Sequence, residues 1–253
     1  MTKIPETPAR SVWTREPPLR RTTLTREMIV GAAVAVADSE GLGAVSLRRV
    51  ADDLHTRATS LYTYLDSRED LYILMINEVL AERLAPDPLP TDWRDAVRVL
   101  ARRERAALLR HPWQLDIVPQ PDPTSCPNGL RFVNQLLTAV ASLDTDPQRR
   151  WEALRVITAY VIGFASSEIR RARNWRMAPA EMLTTDLPPL AFSDAGIHSQ
   201  FASLFAPGEL GNLVTLRDAG VMETADSFDR GLEWLLAGIQ NAGGAGTQRG
   251  SDT

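Results

Sequence analysis

The sequence holds one cysteine, Cys126, and three histidines, His55, His111 and His198. A single thiol cannot build an internal disulfide framework and fits a reducing compartment. So few scattered Cys and His residues argue against a zinc site of the Cys/His type. No run approaches the roughly 18 apolar residues of a membrane span. The opening MTKIPETPARSVWTREPPLRR has no apolar core and does not read as a secretory signal. The expectation is a cytoplasmic protein with no membrane partner. Catalytic signatures are missing too: there is no Gly-x-Ser-x-Gly elbow, no P-loop and no His-Glu-x-x-His pair. Gly41-Leu42-Gly43 lacks both a third glycine and a preceding strand, so it reads as a loop. Asp52-Asp53 and Glu69-Asp70 are adjacent pairs, and adjacent helical residues do not converge on one site. These absences predict no enzyme activity, no cofactor and no resident metal.

What is present is ordinary in amount and uneven in distribution. The 253 residues are 44% hydrophobic and 24% charged, enough for a small head and a larger body. The net charge of -4 looks wrong for a nucleic-acid binder. Residues 1–26, however, carry Lys3 and arginines 10, 15, 20, 21 and 26 against Glu6 and Glu16. A basic arm leading into a helical head is an electrostatic footprint for nucleic acid, and an acidic remainder limits non-specific sticking. Lys3 is the only lysine among 28 basic residues. Because the arginines are spread along the whole chain, a GC-rich coding genome explains this better than function does.

Helical periodicity dominates, with no alternating strand pattern, and the fold class is all-α. Residues 1–24 hold Pro5, Pro8, Pro17 and Pro18 among polar side chains and read as a flexible arm. Helix one begins near Thr25, places Ile29, Ala33, Val36 and Ala37 on one stripe, and stops at Gly41. Ser46 is the N-cap of a second helix running to Leu54, and Thr56 is expected to cap a third. Leu61 and Leu65 point inward from that third helix. Ser67 with Asp70 makes a capping-box-like start for a fourth, followed by Pro86, Pro88 and Pro90 as a stiff connector. Further helices are read over 92–109, 128–143, 146–173 and 227–240. Asp146-Pro147 gives an N-cap and a first-turn proline. Loops are expected over 119–129 and 174–196, a short helix over 198–205, and a disordered glycine-rich tail over 241–253. In domain terms this is an arm (1–24), a three-helix helix-turn-helix head (25–68), a helical body (69–240) and the tail.

Within the head, four elements keep their order and spacing over about fifty residues. They are Gly41, Ser46-Leu47-Arg48-Arg49-Val50-Ala51, Ser60-Leu61-Tyr62-Thr63-Tyr64-Leu65 and Arg68-Glu69-Asp70-Leu71. The head thereby resembles the TetR family of one-component bacterial repressors. Two departures stand out: His55 where the family usually has Gly, and Asp66 where it often has Lys, Pro or Gly. His55 either alters the turn or adopts a left-handed conformation. The resemblance implies a recognition helix carrying Thr56, Arg57, Ala58, Thr59, Ser60 and Tyr62. It implies base or phosphate contact from Ser46 and Arg48, and phosphate clamps from Tyr64 and Arg68. Arg49 is implied less directly, since it also reads as a solvated surface charge, and Tyr62 also reads as partly core. Arginine suits bidentate guanine contacts and hydroxyls suit phosphate oxygens.

The body resembles the tetracycline-repressor-type C-terminal domain in its Arg110-His111-Pro112-Trp113 corner, the proline-rich loop after it, and the long helix with Gly163. This implies a homodimer through the 146–173 and 227–240 helices, with Trp151, Leu154, Phe164, Trp234 and Leu235 divided between core and partner. It also implies a pocket for an unidentified small-molecule effector, entered near 119–129 and 174–196. Its candidate lining is His111, Trp113, Gln114, Phe132, Gln135, Tyr160, Phe164, Trp175 and His198, each of which also reads as an ordinary core or surface residue. The implied function is a ligand-responsive repressor that binds a palindromic double-stranded DNA operator. An activator of the same kind, a helical small-molecule binder without DNA reading, and a small-molecule-processing enzyme are the alternatives.

Overall fold

The computed structural model describes residues 24–117, 125–143, 146–175, 212, 215 and 226–244. The expected arm before residue 24, the short helix at 198–205 and most of the two expected loops lie outside the described residues. Eight α-helices are described: α1 (Arg26–Glu40), α2 (Leu47–Asp53), α3 (Ala58–Leu61), α4 (Arg68–Leu80), α5 (Trp93–Arg110), α6 (Pro127–Ala139), α7 (Pro147–Trp175) and α8 (Ser227–Gly244). Short 3-10 turns lie at Leu42–Ala44, Ala81–Arg83 and Pro112–Asp116. Among the described residues there is no strand, and no helix is long and apolar enough to cross a membrane.

Local chemistry explains the helix ends. The Thr25 hydroxyl accepts from the Met28 amide (3.2 Å), and the Ser46 hydroxyl accepts from the Arg49 amide (3.1 Å). Each satisfies a donor that has no partner within its helix. Helix α1 ends at Gly41, whose φ of 85° suits a residue without a side chain. Asp92 caps α5 by accepting from the Arg94 and Asp95 amides. Ser67 accepts from Asp70 (3.0 Å), but the Asp70 carboxylate accepts from the Asp66 amide (2.9 Å) instead of closing a reciprocal box on Ser67.

Several boundaries differ from the sequence expectation, and α8 runs on to Gly244, four residues into the stretch expected to be a disordered tail, because the apolar face that packs on α7 carries the helix past Gln240. The third helix is capped at Arg57 with no side-chain bond, not by Thr56. The Thr56 amide donates to the Ala51 carbonyl (2.9 Å), which closes the end of α2 and commits Thr56 to the turn. Helix α6 begins at Pro127, inside the stretch expected to be loop, because proline's missing N–H is harmless in a first turn. It also stops earlier, at Ala139, where the Ala141 amide turns back to the Thr138 carbonyl. Asn77 holds the start of α6 by accepting the Asn128 amide (2.9 Å) and its carboxamide (2.8 Å).

The chain forms two compact units, Met1–Ser142 and Leu143–Thr253. In the first, α1 packs on α2 and α4, α2 on α3, and α4 and α5 on α6. Ile29, Ala33, Val45, Val50, Leu61, Leu65, Leu71 and Met75 are buried in one apolar cluster that Trp113, Ile117 and Cys126 also join. Each fully buried large side chain contributes about 1.5–3 kcal/mol. Because the cluster runs on past residue 68, the head has no seam at that point. In the second unit, α7 packs on α8.

Candidate nucleic-acid interface

The residues after the first helix fold into two short helices joined by a sharp turn. His55 sits at the turn with φ 51°, in the left-handed region that glycine occupies without strain. This sends the chain from α2 into α3, whose Leu61 is fully buried. The rest of the α3 surface is left outward. Arg57, Thr59 and Tyr62 are exposed, with Tyr62 at 55%, and Ala58 and Ser60 are half-buried. Arg48 on α2 and Arg68 at the start of α4 are also exposed, and the Arg68 guanidinium lies 5.0 Å from the Tyr72 ring centroid. Arginines and hydroxyls around a short helix held from behind by apolar contacts match the chemistry of phosphate and base-edge contact.

Two residues implied to touch DNA are otherwise engaged. Arg49 is paired with Glu40 (2.7 Å) and with Asp53. Its hydrogen bonds to Glu40 and then Asp53 hold the guanidinium firmly in its charged form. Tyr64 is 5% exposed, and its hydroxyl donates to the Leu24 carbonyl (2.6 Å). The ring is buried and its hydroxyl is engaged by the backbone of the head itself.

Residues 27–70 contain four arginines and eight acids, a balance hostile to DNA. The structure shows where part of that negative charge goes. Glu40 and Asp53 are paired with Arg49, Asp70 accepts a backbone amide, and Asp38 turns toward His111 and Trp113.

The residues proposed for effector binding fall into both units. At the corner after α5, His111 is buried. Its Nδ1 lies 2.7 Å from Asp38 Oδ1 and its Nε2 3.1 Å from Glu82 Oε1. Trp113, also buried, donates its Nε1–H to the same Asp38 oxygen at 2.6 Å. With carboxylates on both ring nitrogens, the imidazole serves best as a double donor. Burial pulls its pKa down, but the hydrogen bonds and charges of Asp38 and Glu82 outweigh that and hold it above the ordinary value. Gln114 donates to the Ala107 (3.1 Å) and His111 (3.0 Å) carbonyls and accepts from Arg83 (2.8 Å). Gln135 clasps the Ala85 backbone, accepting from its amide (3.0 Å) and donating to its carbonyl (2.8 Å). Phe132 is buried, with the Arg83 guanidinium 5.9 Å from its ring centroid.

Sequence reasoning missed a buried ion pair at the centre of this set. Arg83 meets Glu104 at 2.9 Å, with Glu104 1% exposed. Burial pushes the Glu104 carboxyl up and the Arg83 guanidinium down, while each charge steadies the other. A signal was available: Glu104 stands four residues after Leu100 and four before Leu108, on the stripe that faces inward.

In the second unit Tyr160 is half-buried, its hydroxyl donating to the Phe228 carbonyl at 2.8 Å. Its ring lies tilted against Phe164 (centroids 5.8 Å apart) and Phe228 (5.6 Å). Trp175 ends α7 but its side chain is not among those described, and His198 lies outside the described residues. A half-open groove of about 160 Å³ is lined by Leu143, Arg149, Glu152, Ala153, Val156, Ile239 and Ala242. None of the residues proposed for effector binding lines it. Among the described residues no His, Cys, Asp and Glu cluster could hold a metal.

The family model for the tetracyclin repressor-like C-terminal domain matches residues 85–242. The chain belongs to the TetR family. The HTH-type transcriptional repressor DrrR1 of Streptomyces coeruleorubidus is 31% identical over 223 residues, 86% of this chain and 78% of that protein. An HTH-type transcriptional regulator of Saccharopolyspora erythraea is 29% identical over 242 residues, 92% of this chain and 93% of that one. Among solved structures, the Streptomyces coelicolor TetR family protein ActR in complex with actinorhodin is 25% identical with a TM-score of 0.68. That match covers 87% of this chain and 97% of that chain. This TetR-family chain is therefore an all-α, DNA-binding transcriptional regulator, and the exposed α3 surface is its candidate DNA-reading face.

Proposed function

We propose that the protein is a repressor that binds a palindromic operator as a homodimer and leaves it when a small molecule occupies the body. The observation that carries this reading is the outward set on and around α3: Arg48, Arg57, Thr59, Ser60, Tyr62 and Arg68. Arg57 stands at the N-cap of α3, and the N-terminal residues of a recognition helix reach base edges. The name of the S. coeruleorubidus relative, a repressor, supports the direction of regulation. The actinorhodin complex of ActR supports a small-molecule effector. The protein acts by binding, not turnover, and works in the cytoplasm, where its DNA lies.

The second unit supports the homodimer. Trp151, Val156 and Trp234 are exposed at 43%, 46% and 77%, a large apolar offering on two packed helices. Exposed tryptophans of this kind are typical anchors of protein interfaces. Two heads held by such a dimer meet half-sites about one helical turn apart, which makes the operator a palindrome. An effector then works by binding the two head spacings with different affinity, a coupling typically of about 1–3 kcal/mol.

The test is to select duplexes from a random-sequence pool on the full-length protein at physiological salt. A short palindrome should be enriched; enrichment of nothing, or of a single unrepeated half-site, refutes the reading. Arg57→Ala should then cost about 1–3 kcal/mol in operator affinity and relax preference at the base it reads.

A further inference from the structure

We propose that His111 is a positioning residue for DNA binding: its charged imidazole ties the C-terminal end of α1 to the turn after α4, and loss of its proton loosens the head and weakens operator binding. The inference rests on the operator binding proposed above. The last turn of α1 carries Asp38 and Glu40 and no base. Acids there add to the negative end of the helix dipole, so they call for cations or donors from elsewhere. Glu40 is answered from within the head, by Arg49 of α2 at 2.7 Å. Asp38 is answered by the corner after α5, through His111 Nδ1 (2.7 Å) and the Trp113 indole (2.6 Å). One end of α1 is thus joined both to α2, which packs on α3, and to that corner.

The corner is itself braced. Arg83 reaches Glu104 (2.9 Å) and Gln114 (2.8 Å), and Gln114 donates to the His111 carbonyl (3.0 Å). The other ring nitrogen of His111 meets Glu82 at 3.1 Å, in the turn Ala81–Arg83 that follows α4. The charged groups around the ring are Asp38 from α1, Glu82 from that turn, and Arg110 from α5, which pairs with Glu82. Asp116, in the same 3-10 turn as Trp113, is exposed to solvent.

A charged imidazole donates from both nitrogens, and a neutral one from a single nitrogen. Deprotonation therefore sets a ring lone pair against a carboxylate oxygen, whichever tautomer remains, and one of the two ties is lost. Burial works against the charge, and Asp38 and Glu82 outweigh it, which moves the change to the alkaline side of an ordinary imidazole. With both ties made, α3 is presented outward on a fixed α1 and α2. A looser junction lowers the fraction of protein in that arrangement, and apparent affinity falls with that fraction.

The test uses the full-length protein and the duplex that it enriches, at constant salt, between about pH 6 and about pH 9. Wild type, His111→Gln, Asp38→Asn and the double variant are titrated, with helical spectra to keep the comparison to folded protein. His55 and His198 are common to all four, so their titration cancels. Wild type should lose affinity several-fold as pH rises, beyond any loss that His111→Gln shows. Both single variants should bind more weakly than wild type in mild acid and have flatter profiles, and combining them should add little. If His111→Gln weakens binding by one factor at every pH, His111 merely supports the fold and the proposal falls. It falls equally if wild-type affinity rises with pH relative to that variant. Should His111→Gln fail to fold, Glu82→Gln at a half-buried position decides. Removing the charge that faces Nε2 should move the fall in affinity to lower pH, and an unmoved midpoint overturns the proposal. Failure to enrich any duplex would instead refute operator binding itself, a separate result.

Discussion

His55 occupies a left-handed turn, φ 51°, where a side chain is strained and glycine is not. Its side chain is exposed, so removing it sacrifices no core packing. His55→Gly should raise the melting temperature, by up to about 1 kcal/mol of stability after glycine's extra unfolded-state entropy is counted. Thermal unfolding of the two proteins checks this, and an unchanged or lower melting temperature contradicts it. At the same scale, His111 answers to pH. Its folded pKa stands above the about 6.5 of a free imidazole, because Asp38 on α1 and Glu82 beside α4 face its two ring nitrogens and outweigh its burial. Arg110, which also pairs with Glu82, is a competing cation. A raised folded value means the stabilisation is fully present below about pH 6.5 and disappears as pH climbs through the folded pKa. The melting-temperature gap between wild type and His111→Gln should therefore be widest in mild acid and shrink toward pH 9. A gap that is constant or widens with pH contradicts the charged staple.

Helix α8 meets α7 through a close approach that one glycine permits. A Cβ built on Gly231 would stand 2.3 Å from the Tyr160 hydroxyl oxygen, which is held in place by the Phe228 carbonyl. Gly231→Ala should force that oxygen away and break its hydrogen bond, a loss of about 1 kcal/mol or more. Alanine's better helix propensity, also about 1 kcal/mol, opposes the loss. Tyr160→Phe in the same chain removes the 2.3 Å clash and leaves only ring carbons at 3.1 and 3.3 Å, so the double variant should be more stable than the sum of the two single changes. Additive melting shifts would contradict the steric account. This pairing was not legible in the sequence, where Gly231 is one of 15 glycines and Tyr160 reads equally well as a pocket residue. Helix α1 was legible because its cap, stripe and stop agree. The start of α3 was not, because the left-handed His55 turn carries Thr56 into the turn with it.

At the scale of the molecule, the second unit presents Trp234 with 77% of its surface bare. If this face meets a second copy, Trp234→Asp should cost at least about 2 kcal/mol of association, as central interface tryptophans do. Each chain should meanwhile fold as before, because most of the Trp234 side chain lies outside the packed interior of its own unit. Sedimentation at micromolar concentration reads this directly: wild type as dimer, variant as monomer with an unchanged helical spectrum. A wild-type monomer refutes the dimer. The DNA-reading set was legible as residue types, since short-range motif spacing carries it. Its accessibility was not, because pairing of Arg49 with Glu40 and burial of Tyr64 depend on contacts 9 and 40 residues apart. The boundary expected at residue 68 likewise differs from the compact unit, which ends at Ser142, because Trp113, Ile117 and Cys126 complete the apolar cluster begun by α1.

The pairing of Arg49 with Glu40 and Asp53 also bears on how the regulator finds its target. Sliding along random sequence depends on diffuse cationic charge, and here one arginine of the head is already matched by its own chain. Arg49 therefore adds less to sequence-independent attraction than Arg48, Arg57 or Arg68, which stand exposed on the same head.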